Sequence, residues 1–156
     1  MDLLAHFVVG LWLYSHYQYP LVVLLSVIPD IDHLVGYIYD RRKKTEIKLP
    51  KLIHLAYRPR SWFHSFTGVL IIGLPLLIYF PWYVVFIPLL FHMFLDMLDK
   101  EGIYILPPFI SKRIRGALPV GYLPEDPSYM KKHKRSHLPS ILVILAIAIL
   151  SLLRLI

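Results

Sequence analysis

The chain has 156 residues, of which 57% are hydrophobic and 17% are charged, with a mean hydropathy of +0.59 and a net charge of +7. Globular proteins average about 45–50% apolar and about 25% charged residues, so one soluble domain of this length could not bury so much apolar surface. The same composition excludes a disordered chain and a nucleic-acid-binding arm. Because the chain has no cysteine, it has no disulfides, no thiolate metal site and no cysteine nucleophile.

The apolar runs, taken in chain order, predict five helices. The first uncharged run, 3–29, is divided by the polar patch 14–20. The second, 61–95, is too long for one span of about 20 residues and is divided at Pro81. The predicted helices cover residues about 2–15, 20–36, 62–79, 82–99 and 139–156, with long connections over 37–61 and 99–138. This pattern predicts an all-α fold, a multi-pass membrane helical bundle of about five helices that forms a single integral membrane domain over 1–156.

The basic residues predict an orientation for this bundle. All but one of the 17 Lys and Arg residues lie in the two long connections. If the first two helices form a hairpin and the next two form another, both connections lie on one side of the membrane. The positive-inside rule then places that side, with the N-terminus, in the cytoplasm. Membrane lipids are the expected partners, with the basic connections near anionic head groups. Nucleic acid is not an expected partner.

A set of His and Asp residues falls at the cytoplasmic ends of four predicted helices. Ionisable groups inside membrane helices are costly and usually functional, so their shared level indicates a site. A single such residue is more often an interfacial cap, and a proton or ion pathway would space polar groups through the membrane. The set consists of His6, Asp30, Asp32, His33, His64, His92, Asp96 and Asp99.

The spacing within this set favours metal binding. His92 and Asp96 are four residues apart and share a helix face, and Asp30 and His33, three apart, do the same if their helix continues. Mixed imidazole and carboxylate donors suit a divalent transition metal, with Zn²⁺ expected first and Mn, Fe or Ni as alternatives, better than Mg²⁺ or Ca²⁺. Seven candidate ligands exceed one tetrahedral shell, which leaves one ion with a second shell or two ions.

Three boxes in this set resemble a known family, the YdjM-like membrane-bound metal-dependent hydrolases. That family has a P-D-x-D-H box, an H-R-G-x-T-H-S box, and an H-x-x-x-D followed by Gly and Pro-Phe. The second box departs here, since its first His, its Gly and its Thr are absent, and Asp99 stands where a Thr usually follows the L-D pair. Over roughly 1–110, the matching residues are Pro29-Asp30-Ile31-Asp32-His33, Arg60, His64-Ser65, His92, Leu95-Asp96, Gly102 and Pro108-Phe109.

The resemblance implies a function. The ligand pattern is also similar, more distantly, to that of zinc-dependent phospholipase C and P1 nuclease, which cleave phosphoesters. We therefore expect a membrane-embedded metal-dependent hydrolase that cleaves a phosphoester of a lipid or lipid-linked substrate at the cytoplasmic membrane face. Arg60 and Ser65 are expected to bind substrate phosphate, and Asp99 to accept a proton or add a ligand. The expected metal ligands are His6, Asp30, Asp32, His33, His64, His92 and Asp96.

Three other functions fit parts of the pattern. A non-catalytic membrane protein could use a closed structural metal site to clamp helix ends or to dock a partner. A divalent-cation transporter ranks below it, because it would need polar residues through the depth of the membrane. A Ser-His-Asp hydrolase could use Ser65, but no G-x-S-x-G elbow is present.

Overall fold

The structure, a computed structural model, describes residues 3–31, 63–98, 102–118 and 138–153. These residues are mostly helical. A short 3₁₀ turn over Ile28–Asp30 extends the second helix. The elements are α1 (Leu3–Tyr17), α2 (Leu21–Val27), α3 (Phe66–Leu76), α4 (Trp82–Met97), β1 (Ile103–Leu106), β2 (Ile110–Ile114) and α5 (Leu138–Leu153).

Helix α4 lies between two apolar clusters and contributes to both. On one side, Val84 and Leu95 of α4 pack with residues of α1 and α2, such as Val9. On the other side, Leu89 and Met93 pack with residues of α2, α3 and β1. Helix α5 lies against α1 and covers the first cluster. The polar residues at the end of α4 are therefore enclosed by helices on both sides.

A close approach of α1 to α2 occurs at Gly10. A Cβ atom at this position would lie 3.0 Å from the Cβ of Ser26 and 3.0 Å from the Cα of Val23. Because glycine has no side chain, the two helices can pack backbone against backbone here. This packing brings His6, one turn before Gly10 on α1, within hydrogen-bond distance of Asp30 at the end of the 3₁₀ turn.

Helix α3 begins at a serine cap. The backbone of Ser65 is extended, and its hydroxyl accepts a hydrogen bond from the N–H of Gly68 at 3.1 Å. Such a cap satisfies one of the amides that the first turn of a helix leaves without a partner. The helix therefore starts at Phe66, four residues later than the sequence predicts, and His64 lies in the turn that enters it.

A β-hairpin occupies part of the connection that the sequence predicts as a loop. Strands β1 and β2 are antiparallel, with Tyr104 opposite Arg113. The hydroxyl of Thr67 donates a hydrogen bond to the carbonyl of Pro107 at 2.8 Å, and Ser65 forms a parallel bridge with Tyr104. These contacts fasten the hairpin to the start of α3, next to His64. The sequence did not predict the hairpin, because the turn contains two prolines and the second strand contains basic residues.

The predicted multi-pass membrane bundle is wrong. Within the described ranges, no helix is long and apolar enough to cross a membrane. Pro29 interrupts the second predicted helix with a 3₁₀ turn, residues 32–36 of that prediction lie outside the described residues, and Ser65 delays the start of α3. Among the helices that the structure describes, the longest are α4 and α5 with 16 residues each, or about 24 Å, against about 30 Å of bilayer hydrocarbon. The predicted cytoplasmic placement of the N-terminus and the basic connections depended on spanning helices and is not supported.

The hairpin provides a test of the fold at Gly102. This glycine has a φ of +64°, and a Cβ here would lie 2.0 Å from the carbonyl oxygen of Ile114. We expect Gly102→Ala to lower the free energy of unfolding by about 1–3 kcal/mol, because alanine resists this conformation and meets rigid backbone. Thermal unfolding of the purified protein measures the change. The control is Phe109→Ala at the exposed hairpin tip, and equal melting temperatures for all three proteins would contradict the expectation.

Candidate metal centre

Five of the predicted metal ligands converge in the interior. His6 comes from α1, Asp30 from the 3₁₀ turn, His64 from the turn before α3, and His92 and Asp96 from one face of α4. Four of these residues are at most 1% exposed, and the side chain of Asp30 is 12% exposed. The cluster is therefore a buried polar site with a single partly accessible member among these five.

The two carboxylates divide their oxygens between the imidazoles. Oδ1 of Asp30 lies 3.1 Å from Nε2 of His64 and 3.8 Å from Nε2 of His92. Oδ2 of Asp96 lies 3.6 Å and 3.4 Å from the same two nitrogens. The second oxygen of each carboxylate faces His6. Oδ2 of Asp30 lies 3.0 Å from its Nδ1, and Oδ1 of Asp96 lies 3.3 Å from its Nε2.

The tautomer of His92 follows from its backbone contact. Nδ1 of His92 lies 2.7 Å from the carbonyl oxygen of Ser26. A carbonyl only accepts hydrogen bonds, so Nδ1 carries the proton and Nε2 presents its lone pair to the cluster when the ring is neutral. Burial, followed by repulsion from His6, lowers the pKa of His92 to about 4. The ring is therefore neutral at pH 7, as a metal ligand must be.

His6 responds to the same surroundings in the opposite direction. Burial by itself would lower the pKa of His6, but the charges of Asp96 and Asp30 outweigh burial and raise it. The two buried imidazoles are in close contact, with ring centroids 3.7 Å apart. Attraction to the carboxylates and repulsion between the rings favour a proton on His6 and a neutral His92.

The donor set fits a metal ion. Two groups of three residues bring their donor atoms within 4.8 Å of one another, His64 with His92 and Asp96, and His6 with Asp30 and His92. Among the described residues, Nε2 of His92 and Nε2 of His6 have no hydrogen-bond partner although both are buried. A buried polar atom left without a partner costs about 1–3 kcal/mol. A divalent cation would satisfy the lone pair of His92 and neutralise the neighbouring carboxylates.

Four predicted site residues lie outside the described residues. The roles of Asp32 and His33 as ligands, of Arg60 as a phosphate-binding group and of Asp99 as a proton acceptor remain predictions. Ser65, which the sequence predicts to bind substrate phosphate, is fully buried beside His64, and its hydroxyl caps α3. The cap is a structural role that the sequence pattern did not predict.

Two further residues shape the cluster without being predicted by the sequence pattern. Ser26 fixes the ring of His92 through its backbone carbonyl, and no side-chain motif indicates a contact across 66 positions. Gly10 allows α1 to approach α2. In the sequence, this role is indicated only by the position of the glycine one turn after His6. Both contributions come from the backbone, which residue types alone do not reveal.

Comparison with known proteins identifies the family. The profile of the YdjM inner membrane protein family matches residues 1–155. The chain belongs to this family. The match confirms the resemblance inferred from the boxes around Asp30, His64 and His92, and the family description indicates an inner membrane protein. No curated protein and no solved structure matches the chain. The family description names no reaction.

Removing one metal-ligand side chain from this YdjM family member should strongly weaken its affinity for metal. We expect His92→Ala and Asp96→Ala each to weaken zinc binding by about 100-fold or more, because loss of an outer-shell partner alone already costs about 10–100-fold. Competition with a chromophoric chelator measures the affinity. The control is His16→Ala on α1, whose ring contacts the carbonyl of Trp12 instead of the cluster. Unchanged affinity in either cluster variant would contradict the assignment.

Proposed function

We propose that the protein is a metal-dependent hydrolase of the inner membrane that cleaves a phosphoester of a lipid or lipid-linked substrate. The observation that carries this proposal is the buried group of His64, His92 and Asp96, with Asp30 beside it. Nitrogen and carboxylate donors in such a group favour zinc, with manganese, iron or nickel as alternatives. When bound, the ion would polarise a phosphoryl oxygen and make water a better nucleophile at neutral pH.

The chain's own residues prepare the site for this chemistry. The carbonyl of Ser26 holds the N–H of His92, so the ring keeps one orientation and directs Nε2 inward. Asp30 is the accessible member of the five described cluster residues, so we place the approach of water and substrate on its side. A carboxylate at this edge can accept a proton from incoming water.

The surroundings of the site support a lipid substrate. The hairpin that is fastened next to His64 carries the basic residues Lys112, Arg113 and Arg115. Its tip presents Phe109, which is 86% exposed. Basic groups on the same hairpin as an exposed aromatic side chain suit contact with anionic head groups at a membrane surface. Together with membership in an inner membrane protein family, this arrangement favours a phosphoester that belongs to the membrane.

The burial of the cluster supports a second candidate, a structural metal site. Four of the five described residues are at most 1% exposed, and closed sites of this kind commonly stabilise a fold without taking part in a reaction. In that case, the metal would clamp α1, α4 and the turn before α3, or would hold a surface for a partner. This candidate predicts stabilisation by metal and no turnover.

An activity assay separates the two candidates. The protein purified in mild detergent and loaded with zinc should hydrolyse at least one phospholipid or lipid phosphate in mixed micelles. Chelation should abolish this turnover and added zinc should restore it. His92→Ala should lower the rate by about 1,000-fold or more, since removal of a central catalytic group typically has an effect of this size.

The matched control for the assay is again His16→Ala, which should retain full turnover. A fully zinc-loaded wild-type protein that hydrolyses none of a panel of phosphomonoesters and phosphodiesters, while gaining thermal stability from zinc, would overturn the hydrolase proposal. That result would establish the structural site in its place.

A further inference from the structure

We propose that His6 is a positioning residue and not a metal ligand. It lies against one oxygen of Asp30 and one oxygen of Asp96, and thereby directs the other oxygen of each carboxylate toward His64 and His92. The inference rests on the proposed metal site and narrows its ligands to His64, His92 and Asp96, with Asp30 as a further donor. The sequence predicts His6 as a ligand, so the two assignments differ in a measurable way.

The separation of the imidazole rings distinguishes the three histidines. With metal–nitrogen bonds of about 2.0–2.1 Å and ring centres about 1.1 Å beyond each nitrogen, two imidazoles on one tetrahedral ion have centroids about 5 Å apart. The rings of His64 and His92 are 5.2 Å apart, which matches this value. The rings of His6 and His92 are only 3.7 Å apart, closer than two imidazoles on a tetrahedral ion can be.

The carboxylate contacts give His6 a different task. Nδ1 of His6 hydrogen-bonds Oδ2 of Asp30 at 3.0 Å, and its Nε2 lies 3.3 Å from Oδ1 of Asp96. Neither oxygen is the one that faces His64 or His92. Both nitrogens of His6 therefore face carboxylate oxygens that do not contact His64 or His92. An imidazole placed in this way restricts the rotation of both carboxylates, of Asp30 through a hydrogen bond and of Asp96 through a close contact.

The fold supports this arrangement from three elements. His6 belongs to α1, Asp30 to the 3₁₀ turn that follows α2, and Asp96 to α4, so the imidazole links three segments through their carboxylates. Because Gly10 has no side chain, α1 packs closely against α2 at this position. Outer-shell partners that orient ligands typically change metal affinity by about 10–100-fold when they are lost. Loss of His6 should therefore weaken metal affinity by a factor of this size, while the number of imidazoles bound to the ion stays the same.

X-ray absorption spectroscopy of the zinc-loaded protein tests the inference, because multiple scattering counts the imidazoles on the ion. We expect two imidazoles from the described residues in the wild type, the same number in His6→Gln and His6→Ala, and one fewer in His64→Ala. In His6→Ala the zinc–oxygen distances should spread as the carboxylates rotate freely, and zinc affinity should fall by about 10–100-fold. The amide of His6→Gln can still donate a hydrogen bond to a carboxylate. This variant should therefore show a smaller spread of zinc–oxygen distances and a smaller loss of zinc affinity than His6→Ala.

The control for a merely structural effect is Leu13→Ala. Leu13 is buried on α1 two turns from His6, so its loss should lower the melting temperature while leaving the zinc–oxygen shell unchanged. If His6→Gln binds zinc with one imidazole fewer than the wild type, His6 is a ligand and the inference fails while the metal site stands. A wild-type protein that binds no zinc overturns the proposed metal site and this inference together.

Discussion

Two carboxylates, Asp30 and Asp96, are enclosed by the imidazoles of His6, His64 and His92, and the rest of the structure depends on this contact. A buried carboxylate is strongly unfavourable unless it is paired and hydrogen-bonded. The fold meets this requirement by bringing four separate segments to one point. Backbone features complete the arrangement, since Gly10 sets the packing of α1 on α2, the cap at Ser65 places His64, and the carbonyl of Ser26 orients His92.

The pKa values of His6 and His92 are shifted in opposite directions, so the two imidazoles differ in their chemistry. His92 is held neutral by burial and by its neighbour His6, with its proton on the nitrogen that faces Ser26. His6 lies against both carboxylates, and their charges raise its pKa despite burial. In the proposed site, His92 would bind the cation and His6 would hold the carboxylates that share it. Asp30 is the most accessible of the five described cluster residues.

Local spacing predicted more of the site than of the fold. The i, i+4 relation of His92 and Asp96 placed both on one helix face, and positions at helix ends suggested that His6, Asp30 and His64 lie near them. The membrane bundle was wrong because an apolar run does not show where a helix stops. Ser65 shortens one predicted helix, and Pro29 interrupts another with a 3₁₀ turn. The hairpin next to His64 and the carbonyl of Ser26 depend on contacts between distant segments, which residue patterns cannot specify.

The most direct test of this account is the metal content of the protein purified in detergent, measured by elemental mass spectrometry beside a His92→Ala/Asp96→Ala double variant. The account predicts about one equivalent of a transition metal, zinc first, in the wild type and none in the variant. The absence of metal from the wild type, even after reconstitution with zinc, manganese, iron or nickel, would contradict it. The buried histidines and aspartates would then form a polar network that serves the fold alone.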